Sequence, residues 1–390
     1  MEIYTLDPLL RREKVVDKFE SLIWTERFKG NGDFELILPQ SFQTRDYFKA
    51  NTWLALNETY RCMKVETIED YIDDEGRELT KVSGPSIEDI LDDRVAFNVK
   101  DDLTTNPTWS ITLQPLAIAL KIFNDICRDG LVDIHDIIPY LATVSVFPDD
   151  TIPGISTDVT VELEPQSVFD AIKGIADLYD FGIRLVRNLD ASQLVFDVYT
   201  GSDRTSAQTF YPPVIFSAEL ENFSSPHALN SISGSKNIAY VYSPVGFEQV
   251  VPDDVDPNTE GFERQILVVK ADDITDPTPA VATALMIQRG LEELSKHRNY
   301  GAFDGEVTQY GQYKYDRDYF LGDLIETRNN TGFANYMRVT EQIFVSDANG
   351  DRSYPTLETK KFVTPGSWAS WPLVSWIDYE GDPFAWADAP

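Results

Sequence analysis

Histidine is scarce in this chain, which has only three His among 390 residues. Metal centres and catalytic triads depend heavily on this residue type. His135, His227 and His297 lie in segments of unlike pattern, so we predict that each is a surface or helix-end residue. The chain also lacks the G-x-S-x-G, H-E-x-x-H, C-x-x-C and phosphate-loop patterns. We therefore expect no catalytic site, no metal and no cofactor.

Cysteine is scarcer still, with Cys62 and Cys127 as its only examples. They are far apart, in segments of different pattern, and neither has a nearby histidine or basic cluster that would activate a thiolate. We predict two reduced thiols in the core rather than a disulfide framework.

Long apolar runs are also missing. No stretch of about 18 apolar residues occurs, so we expect no transmembrane helix. The first residues, MEIYTLD, lack a basic region followed by an apolar one. We therefore expect no secretory signal, and synthesis in the cytoplasm.

Basic residues are few: 33 Lys and Arg face 65 Asp and Glu, for a net charge of −32. Proteins that hold DNA do so by neutralising phosphates with lysine and arginine, which this composition excludes. A wall of carboxylates would instead repel a passing duplex over about 8 Å at physiological salt. Charge thus favours either a DNA conduit or simply a well-solvated surface.

The length fits two to four domains at roughly 100 to 200 residues each. We predict a mainly β, α+β protein with two β-barrel or sandwich domains and a smaller α+β domain inserted between them. The predicted boundaries are an N-terminal β domain at 1–97, a mixed α+β domain at 98–209, a second β domain with one long helix at 210–365, and a tryptophan-rich extension at 366–390.

Strands dominate the two predicted β domains. Residues 21–39 predict a hairpin in which Gly30 and Gly32 supply the positive φ angles of the turn, and Phe34, Leu36 and Leu38 alternate along the return strand. Residues 63–72 and 77–83 predict a second hairpin, after which Ser86 is expected to cap a short helix. Strands are also predicted at 219–222 and 239–242, and a hairpin around residues 349–350.

Three helices are predicted from apolar spacing and end signals. They cover residues 114–129 before Gly130, 165–180 before Gly182, and 279 to about 298, where Pro279 stands at the first helical position. Residues 183–186 and 194–199 are predicted to pair as strands.

Two acidic patterns imitate functional sites. Asp347, Asn349, Asp351 and Glu358 fall at positions 1, 3, 5 and 12 of a calcium-binding EF-hand loop, but Arg352 stands where that loop needs glycine. The β pattern on both sides favours a hairpin turn. Asp203-Arg204 and Asp316-Arg317-Asp318 mix acid and base, and we interpret them as ion-paired loops rather than a glycosidase pair.

Three sequence patterns resemble the minor tail or baseplate (tail tip) hub proteins of siphophages. The first is an early strand with Trp and Arg that runs through a glycine turn into "-FEL-LP", formed here by Trp24, Arg27, Gly32, Phe34, Glu35, Leu36, Leu38 and Pro39. The second comprises Met63, Val65, Glu66, Ile68, Gly76, Val82, Gly84, Ser86, Leu91 and Arg94. The third comprises Leu321, Gly322, Asp323, Leu324 and Ile325, followed by Arg338, Val339, Thr340, Glu341, Gly350, Pro355, Thr356 and Leu357.

The resemblance covers most of residues 1–365 and implies a virion structural protein, not an enzyme. It implies that the two β domains are similar to tail-tube modules, and that a homotrimer forms a pseudo-sixfold ring at the tail tip. Such a ring would close the tail tube and let genomic DNA pass without specific binding. The implied partners are the distal tail protein, the tape measure protein and other tail tip proteins.

The last 25 residues hold four of the seven tryptophans, Trp368, Trp371, Trp376 and Trp386. Their spacing fits neither a regular helix nor a strand. Burying four indoles returns about 15 to 25 kcal/mol, less than the roughly 25 to 50 kcal/mol that ordering the segment costs. We predict that these rings are interface residues on a neighbouring subunit or another tail protein; folding back onto their own domain is the alternative.

Two other functions remain open from the sequence. A host-binding adhesin would use the aromatic extension to contact cell-wall sugars, and a tail-associated hydrolase would cleave the cell wall. Three experiments distinguish these functions. Images of a trimeric ring would support the hub, a glycan-binding assay the adhesin, and zymography on host cell wall the hydrolase.

Overall fold

The structure is a computed structural model, described here for residues 1–98, 108–131, 133–143, 158–188, 193–231, 233–252, 255–275, 279–297, 300–307, 313–328 and 334–359. The chain is mainly β with several helices, as predicted. Within these residues no helix combines the length and the apolar character needed to cross a bilayer. The predicted extension at 366–390 lies outside them, so its boundaries and its tryptophans stay predictions.

The N-terminal part contributes eight strands and one short helix. They are β1 (Ile3–Leu6), β2 (Arg12–Val16), β3 (Ser21–Arg27), β4 (Asp33–Pro39), α1 (Phe42–Tyr47), β5 (Trp53–Leu56), β6 (Cys62–Lys64), β7 (Thr67–Ile72) and β8 (Glu78–Pro85). One sheet has the order β2-β1-β5-β6, while β3, β4, β8 and β7 join a larger sheet. The predicted strand at 63–72 is therefore two strands in two different sheets.

The hairpin of β3 and β4 confirms the alternation of Phe34, Leu36 and Leu38, all of which are buried. The expected reason for its glycines was wrong, because neither Gly30 nor Gly32 has a positive φ. Gly32 is needed for space instead: a Cβ there would lie 2.3 Å from the carbonyl oxygen of Thr25. Its N–H donates to the hydroxyl of Ser86 at 2.8 Å. Ser86 does precede a 3₁₀ helix, Ile87–Leu91, but its side chain does not cap that helix.

The middle part is a mixed unit with two helices in its core. Its elements are β9 (Val95–Ala96), β10 (Trp109–Leu113), α2 (Pro115–Phe123), β11 (Leu141–Thr143), β12 (Val159–Leu163), β13 (Gln166–Ser167), α3 (Val168–Tyr179), β14 (Gly182–Asn188) and β15 (Gln193–Tyr199). The helix predicted at 114–129 is confirmed as α2 continued by a π turn, Asn124–Arg128, before the left-handed Gly130.

The second predicted helix begins later than expected. Gln166 and Ser167 pair with β9 as a short strand, so α3 starts at Val168. The Ser167 side chain accepts a hydrogen bond from the Asp170 N–H at 3.0 Å and caps the helix. Asp180 adopts the left-handed conformation and ends it. The predicted pairing of the next two strands is confirmed by β14 and β15.

The C-terminal part contains the remaining strands and the longest helix. They are β16 (Ile215–Ser217), β17 (Phe223–Ser231), β18 (Ile238–Ser243), β19 (Gly246–Val250), β20 (Ile266–Lys270), α4 (Pro279–Lys296), β21 (Tyr300–Val307), β22 (Leu324–Arg328), β23 (Ala334–Asp347) and β24 (Gly350–Thr359). The predicted strand at 219–222 is wrong: Ala218–Leu220 form a 3₁₀ turn, and Glu221 has a positive φ.

A second α+β unit lies inside this C-terminal part. The sheet β19-β18-β20 packs on α4 through a core of its own, which includes Val241, Val250, Val269, Met286 and Leu294. The sequence predicted the helix but not that it forms a separate core with these three strands.

The large sheet joins both ends of the chain. Its order is β17-β21-β24-β23-β3-β4-β8-β7, with β22 paired to β23 and β16 paired to β22. Across the described residues this sheet is open, with β17 and β7 at its two ends, so the expected barrel is not closed within one chain.

Candidate functional site: the seam between the two ends of the chain

Strands β3 and β23 form the junction on which the large sheet depends; we call this pairing the seam. Leu22 to Arg27 run antiparallel to Ser346 to Glu341, and Trp24 lies opposite Phe344. Both rings are buried in one apolar core with Phe34. The seam therefore fuses the N-terminal and C-terminal strands into one sheet.

Strand β3 of the seam carries a buried carboxylate, Glu26. Glu26 is fully buried and accepts hydrogen bonds from Trp24 Nε1 at 3.1 Å and from the Tyr315 hydroxyl at 2.9 Å. The Arg61 guanidinium is 3.8 Å away. Burial raises the pKa of Glu26, and this effect outweighs the opposing influence of Arg61 and the hydrogen bonds.

Arg61 extends this network to the middle unit. It donates to the carbonyl oxygen of Arg27 at 2.9 Å and to the Tyr199 hydroxyl at 3.0 Å. Its guanidinium also lies 3.6 Å from Glu88, whose other contact is the Leu185 N–H at 2.8 Å. One buried cation thus ties β3 to β15 and to the helical turn that follows β8.

Phe28, directly after β3, is where three parts of the chain meet. Its N–H donates to Thr340 and its carbonyl oxygen accepts from Ile183, at 2.9 and 3.0 Å. Gly182 and Gly322 both leave room for its ring, since a Cβ on either would lie 2.2 or 2.3 Å from it. No larger residue fits at these two positions without moving the ring.

Arg338 closes the junction from the C-terminal side. Its guanidinium lies 5.2 Å from the centre of the Phe28 ring and 2.8 Å from Asp180 Oδ2. It also donates to the carbonyl oxygens of Thr200 and Gly322. Lys29 pairs with the other oxygen of Asp180 at 2.9 Å. These contacts join strand β23 to the end of α3 and to the segment that follows β3.

The residues singled out in the sequence do not converge on a site. Arg204 pairs with the buried Asp323 at 2.6 Å, and Arg317 pairs with its neighbour Asp318 at 2.6 Å. Asp203 and Asp316 are in the same loops, with Asp203 Oδ1 accepting from the Thr205 N–H at 2.9 Å. The interpretation of these segments as ion-paired loops is confirmed for Arg204 and for the pair of residues 317 and 318.

The calcium-like segment is a hairpin, as predicted. Asp347 accepts from the Asn349 N–H at 2.7 Å and pairs with Arg352, while Asp351 accepts from Ser346 at 2.5 Å. The turn ends at Gly350, which has a φ of 102°. In the described ranges no cluster of three or more His, Cys, Asp or Glu could hold a metal ion.

The two thiols lie in the core, and the two histidines whose surroundings are described lie at a helix end or on the surface, as predicted. Cys62 and Cys127 are buried and unpaired, and burial raises the pKa of each thiol to about 12. His297 follows α4 and contacts the carbonyl oxygen of Glu293, and His135 lies in a 3₁₀ turn. Trp368, Trp371, Trp376 and Trp386 fall beyond residue 359, outside the described part.

The two halves of the large sheet share one topology, which the sequence analysis missed. In the N-terminal half the strands β3, β4, β7 and β8 take the spatial order β3-β4-β8-β7; in the C-terminal half β17, β21, β23 and β24 take the order β17-β21-β24-β23. Every neighbouring pair in both sets is antiparallel. We call each set a four-strand unit.

Backbone hydrogen bonds in the segments that lead into the third strand of each unit also correspond. Val65 N donates to Thr52 O, and Val339 N donates to Asp323 O. Thr52 N donates to Lys49 O, and Asp323 N donates to Phe320 O. Even the side chains agree: Thr52 Oγ1 and Asp323 Oδ2 accept from the N–H groups of residues 49 and 320.

A faint sequence signal accompanies this repeat. Met63-Lys64-Val65 corresponds to Met337-Arg338-Val339, and the turns that follow contain Asp73 and Gly76 in one unit and Asp347 and Gly350 in the other. All these pairs have the same separation along the chain. A search for internal repeats would have found them, but a few identities in strand-rich sequence carry little weight without the shared hydrogen bonds.

Comparison with solved structures defines the class of fold. The chain is similar to a tail protein from Neisseria meningitidis MC58, with 13% identity and a TM-score of 0.56 over 94% of this chain and 98% of that one. The 43 kDa tail protein of prophage MuSo2 from Shewanella oneidensis gives 13% and 0.56 over 92% and 98%. The prophage tail protein gp18 from Listeria monocytogenes EGD-e gives 14% and 0.50 over 95% and 98%. The fold is thus that of phage tail proteins.

The sequence itself places the chain in a family. Residues 1–356 match the family of siphovirus ReqiPepy6 Gp37-like proteins, and the chain belongs to that family. The resemblance to siphophage tail proteins noted in the sequence is therefore confirmed. No sequence in the curated set matches the chain.

Proposed function

We propose that this protein is a structural hub at the tip of a siphophage tail, where three copies form a ring that closes the tail tube and surrounds the exit path of the genome. The observation that carries the proposal is the pair of equivalent four-strand units joined by the seam. Three chains would supply six such units, so that a ring of threefold symmetry could match a tail tube of sixfold symmetry. Membership of a siphovirus family and the fold of tail proteins support the same role.

The role is mechanical. The seam, the network around Glu26 and Arg61 and the junction at Phe28 hold the two units as one body. A ring of such bodies resists deformation because each unit is fixed to the next by a sheet and not by a linker. The surplus of acidic residues, with a net charge of −32, would repel DNA from the wall and let it slide past without specific binding.

The ring would hold its neighbours in the tail: the distal tail protein above it, the end of the tape measure protein, and other tail tip proteins. We assign contacts of this kind to Trp368, Trp371, Trp376 and Trp386. Each of these residues combines a large apolar ring with an N–H donor, the combination found at protein interfaces.

Two measurements test the proposal. Light scattering of the purified protein, alone and mixed with the distal tail protein, gives the number of copies, which we expect to be three in at least the mixture. Imaging of virions with a tagged chain should place the tag on the tail axis at the tip. A tag found off the axis, on side fibres or along the tube, would overturn the assignment.

A further inference from the structure

The main order of the large sheet ends in two strands that have no further strand beside them in the described part of the chain, β7 and β17, while β16 ends its side branch. An open sheet edge offers a row of backbone donors and acceptors to another chain, which is why proteins usually shorten, charge or cover such edges. The β7 edge is only partly protected in this way, by the charges of Glu69 and Asp70, the second of which pairs with Arg45 at 2.8 Å. It carries two exposed isoleucines, Ile68 and Ile72, at 40% and 67% exposure.

The repeat shows what β7 lacks. Aligned by the shared hydrogen bonds of the valines, β7 corresponds to the second half of β23, so that Ile68 corresponds to Gln342 and Ile72 to Ser346. Gln342 and Ser346, which the seam places beside β3, are only 0% and 8% exposed. The equivalent residues of β7 are exposed, and in the described ranges no strand occupies that place.

The strand that would occupy it is also defined by the repeat. Counting across the paired strands, β3 of the first unit corresponds to β17 of the second. The seam pairs β3 with β23 inside one chain. These two strands are the counterparts of β17 and β7, the strands at the two open ends. The open ends also run in opposite directions, because an even number of antiparallel strands separates them, so two copies related by rotation would meet antiparallel.

We propose that β7 of one copy pairs antiparallel with β17 of the next copy, in the register of the seam. Transferring the pairs of the seam gives Ile68 opposite Asn230, Glu69 opposite Leu229, and Asp70 opposite Ala228 of the neighbouring copy. The contact is head to tail, so it closes a ring only if the rotation between copies divides a full turn. This inference rests on the proposed ring and specifies how its subunits join.

Paired cysteines test the register directly. In one variant Ile68→Cys is combined with Asn230→Cys, and in a second Glu69→Cys is combined with Leu229→Cys. Directly opposite residues have Cβ atoms about 4.5 to 5.5 Å apart, close enough for a disulfide after small adjustment. Because alternate pairs differ in spacing, at least one variant should give covalent dimers and trimers, and no larger species, after mild oxidation. The native Cys62 and Cys127 stay in place since both are buried.

The matched control combines Thr67→Cys with His227→Cys, on the same two strands but four residues out of register. That offset is about 13 Å along a strand, beyond the reach of a disulfide. Each single variant serves as a second control. The samples are the purified protein and virions that carry the substituted chain, so that a protein that is monomeric in solution is still tested in its assembled state.

The outcomes separate the two proposals. Cross-linked trimers from an in-register pair and none from the control support the inference. A ring in virion images without in-register cross-links, or equal cross-linking by the control, would overturn the β7–β17 contact and leave the hub intact. Absence of a threefold ring in the images would overturn both.

Discussion

Asn51 and Gly322 occupy the same place relative to the two four-strand units. Each donates its N–H to the carbonyl oxygen of a valine, Val65 or Val339, at 2.8 Å, and each has a positive φ, 66° and 88°. Asparagine and glycine are the residues that tolerate this conformation. The agreement of backbone, hydrogen bond and residue type at this one position shows how closely the two units correspond.

Gly322→Ala should lower the free energy of unfolding by about 3 kcal/mol, since it adds a positive-φ penalty and a clash to a filled site. The new Cβ would lie 2.3 Å from the Phe28 ring. Gly76→Ala is the matched control, because Gly76 has a φ of 80° and nothing within 4 Å of a Cβ. We expect the control to lose only about 1 kcal/mol. Urea unfolding of both variants decides the matter; equal losses would show that the close packing on Phe28 is unimportant.

Phe344→Ala should cost about 3 to 5 kcal/mol, because it removes a buried ring from the seam. Phe344 is 4% exposed and lies opposite Trp24. Phe262, which is fully exposed at 101%, provides the control, and its replacement by alanine should stay within about 0.5 kcal/mol. Thermal unfolding measures both. A small effect at Phe344 would mean that the two ends of the chain are held together elsewhere.

The buried Glu26 should make stability depend on pH in a particular direction. Its pKa is raised by burial, so its contribution is fully present below the pKa of the unfolded chain and is lost as pH rises through the folded value. Glu26→Gln removes this titration. The unfolding free energy of the variant relative to the native protein should therefore increase from about pH 4 to pH 7, a range that starts near the reference pKa of glutamate.

Asp46→Asn provides a control of opposite sign for that experiment. The hydrogen bond and charge of Lys14 lower the pKa of Asp46, so its contribution is present above the unfolded pKa and is lost as pH falls through the folded one. The unfolding free energy of this variant relative to the native protein should therefore decrease as pH rises toward about 4, the reference value of aspartate, and stay level above it. Urea titrations in a series of buffers measure both variants. Parallel pH curves for Glu26→Gln and the native protein would contradict the role given to Glu26.

Deleting residues 366–390 should leave the unfolding midpoint of the protein unchanged and should weaken binding to neighbouring tail proteins. The reason is that we assign the four tryptophans of this segment to interfaces with other proteins and not to the core. A full-length variant with all four replaced by alanine controls for loss of the backbone. Co-purification with the distal tail protein is the readout; unchanged binding by both variants would exclude the tryptophans as interface residues.

Local sequence patterns were enough to predict many individual elements. Apolar spacing and end signals located α2, α3 and α4, and turn residues located the hairpins of β3 with β4 and of β23 with β24. These elements form between residues close in sequence, so their signals are local. The same patterns carried the resemblance to tail proteins that the family match confirms.

The sequence by itself determined the helices α2, α3 and α4, the hairpins of β3 with β4 and of β23 with β24, the burial of the thiols at Cys62 and Cys127, and the family to which the chain belongs. Only the tertiary structure decided that β3 pairs with β23 and that the Ser86 hydroxyl accepts a hydrogen bond from the Gly32 N–H instead of capping a helix. It also decided that two units repeat one topology, with an open edge at each end of the sheet. The physical reason is that strand partners are chosen by contacts between distant residues. An edge strand that stays exposed and an edge strand that pairs with another chain have the same alternating sequence. Only the backbone pairing in the folded structure distinguishes them.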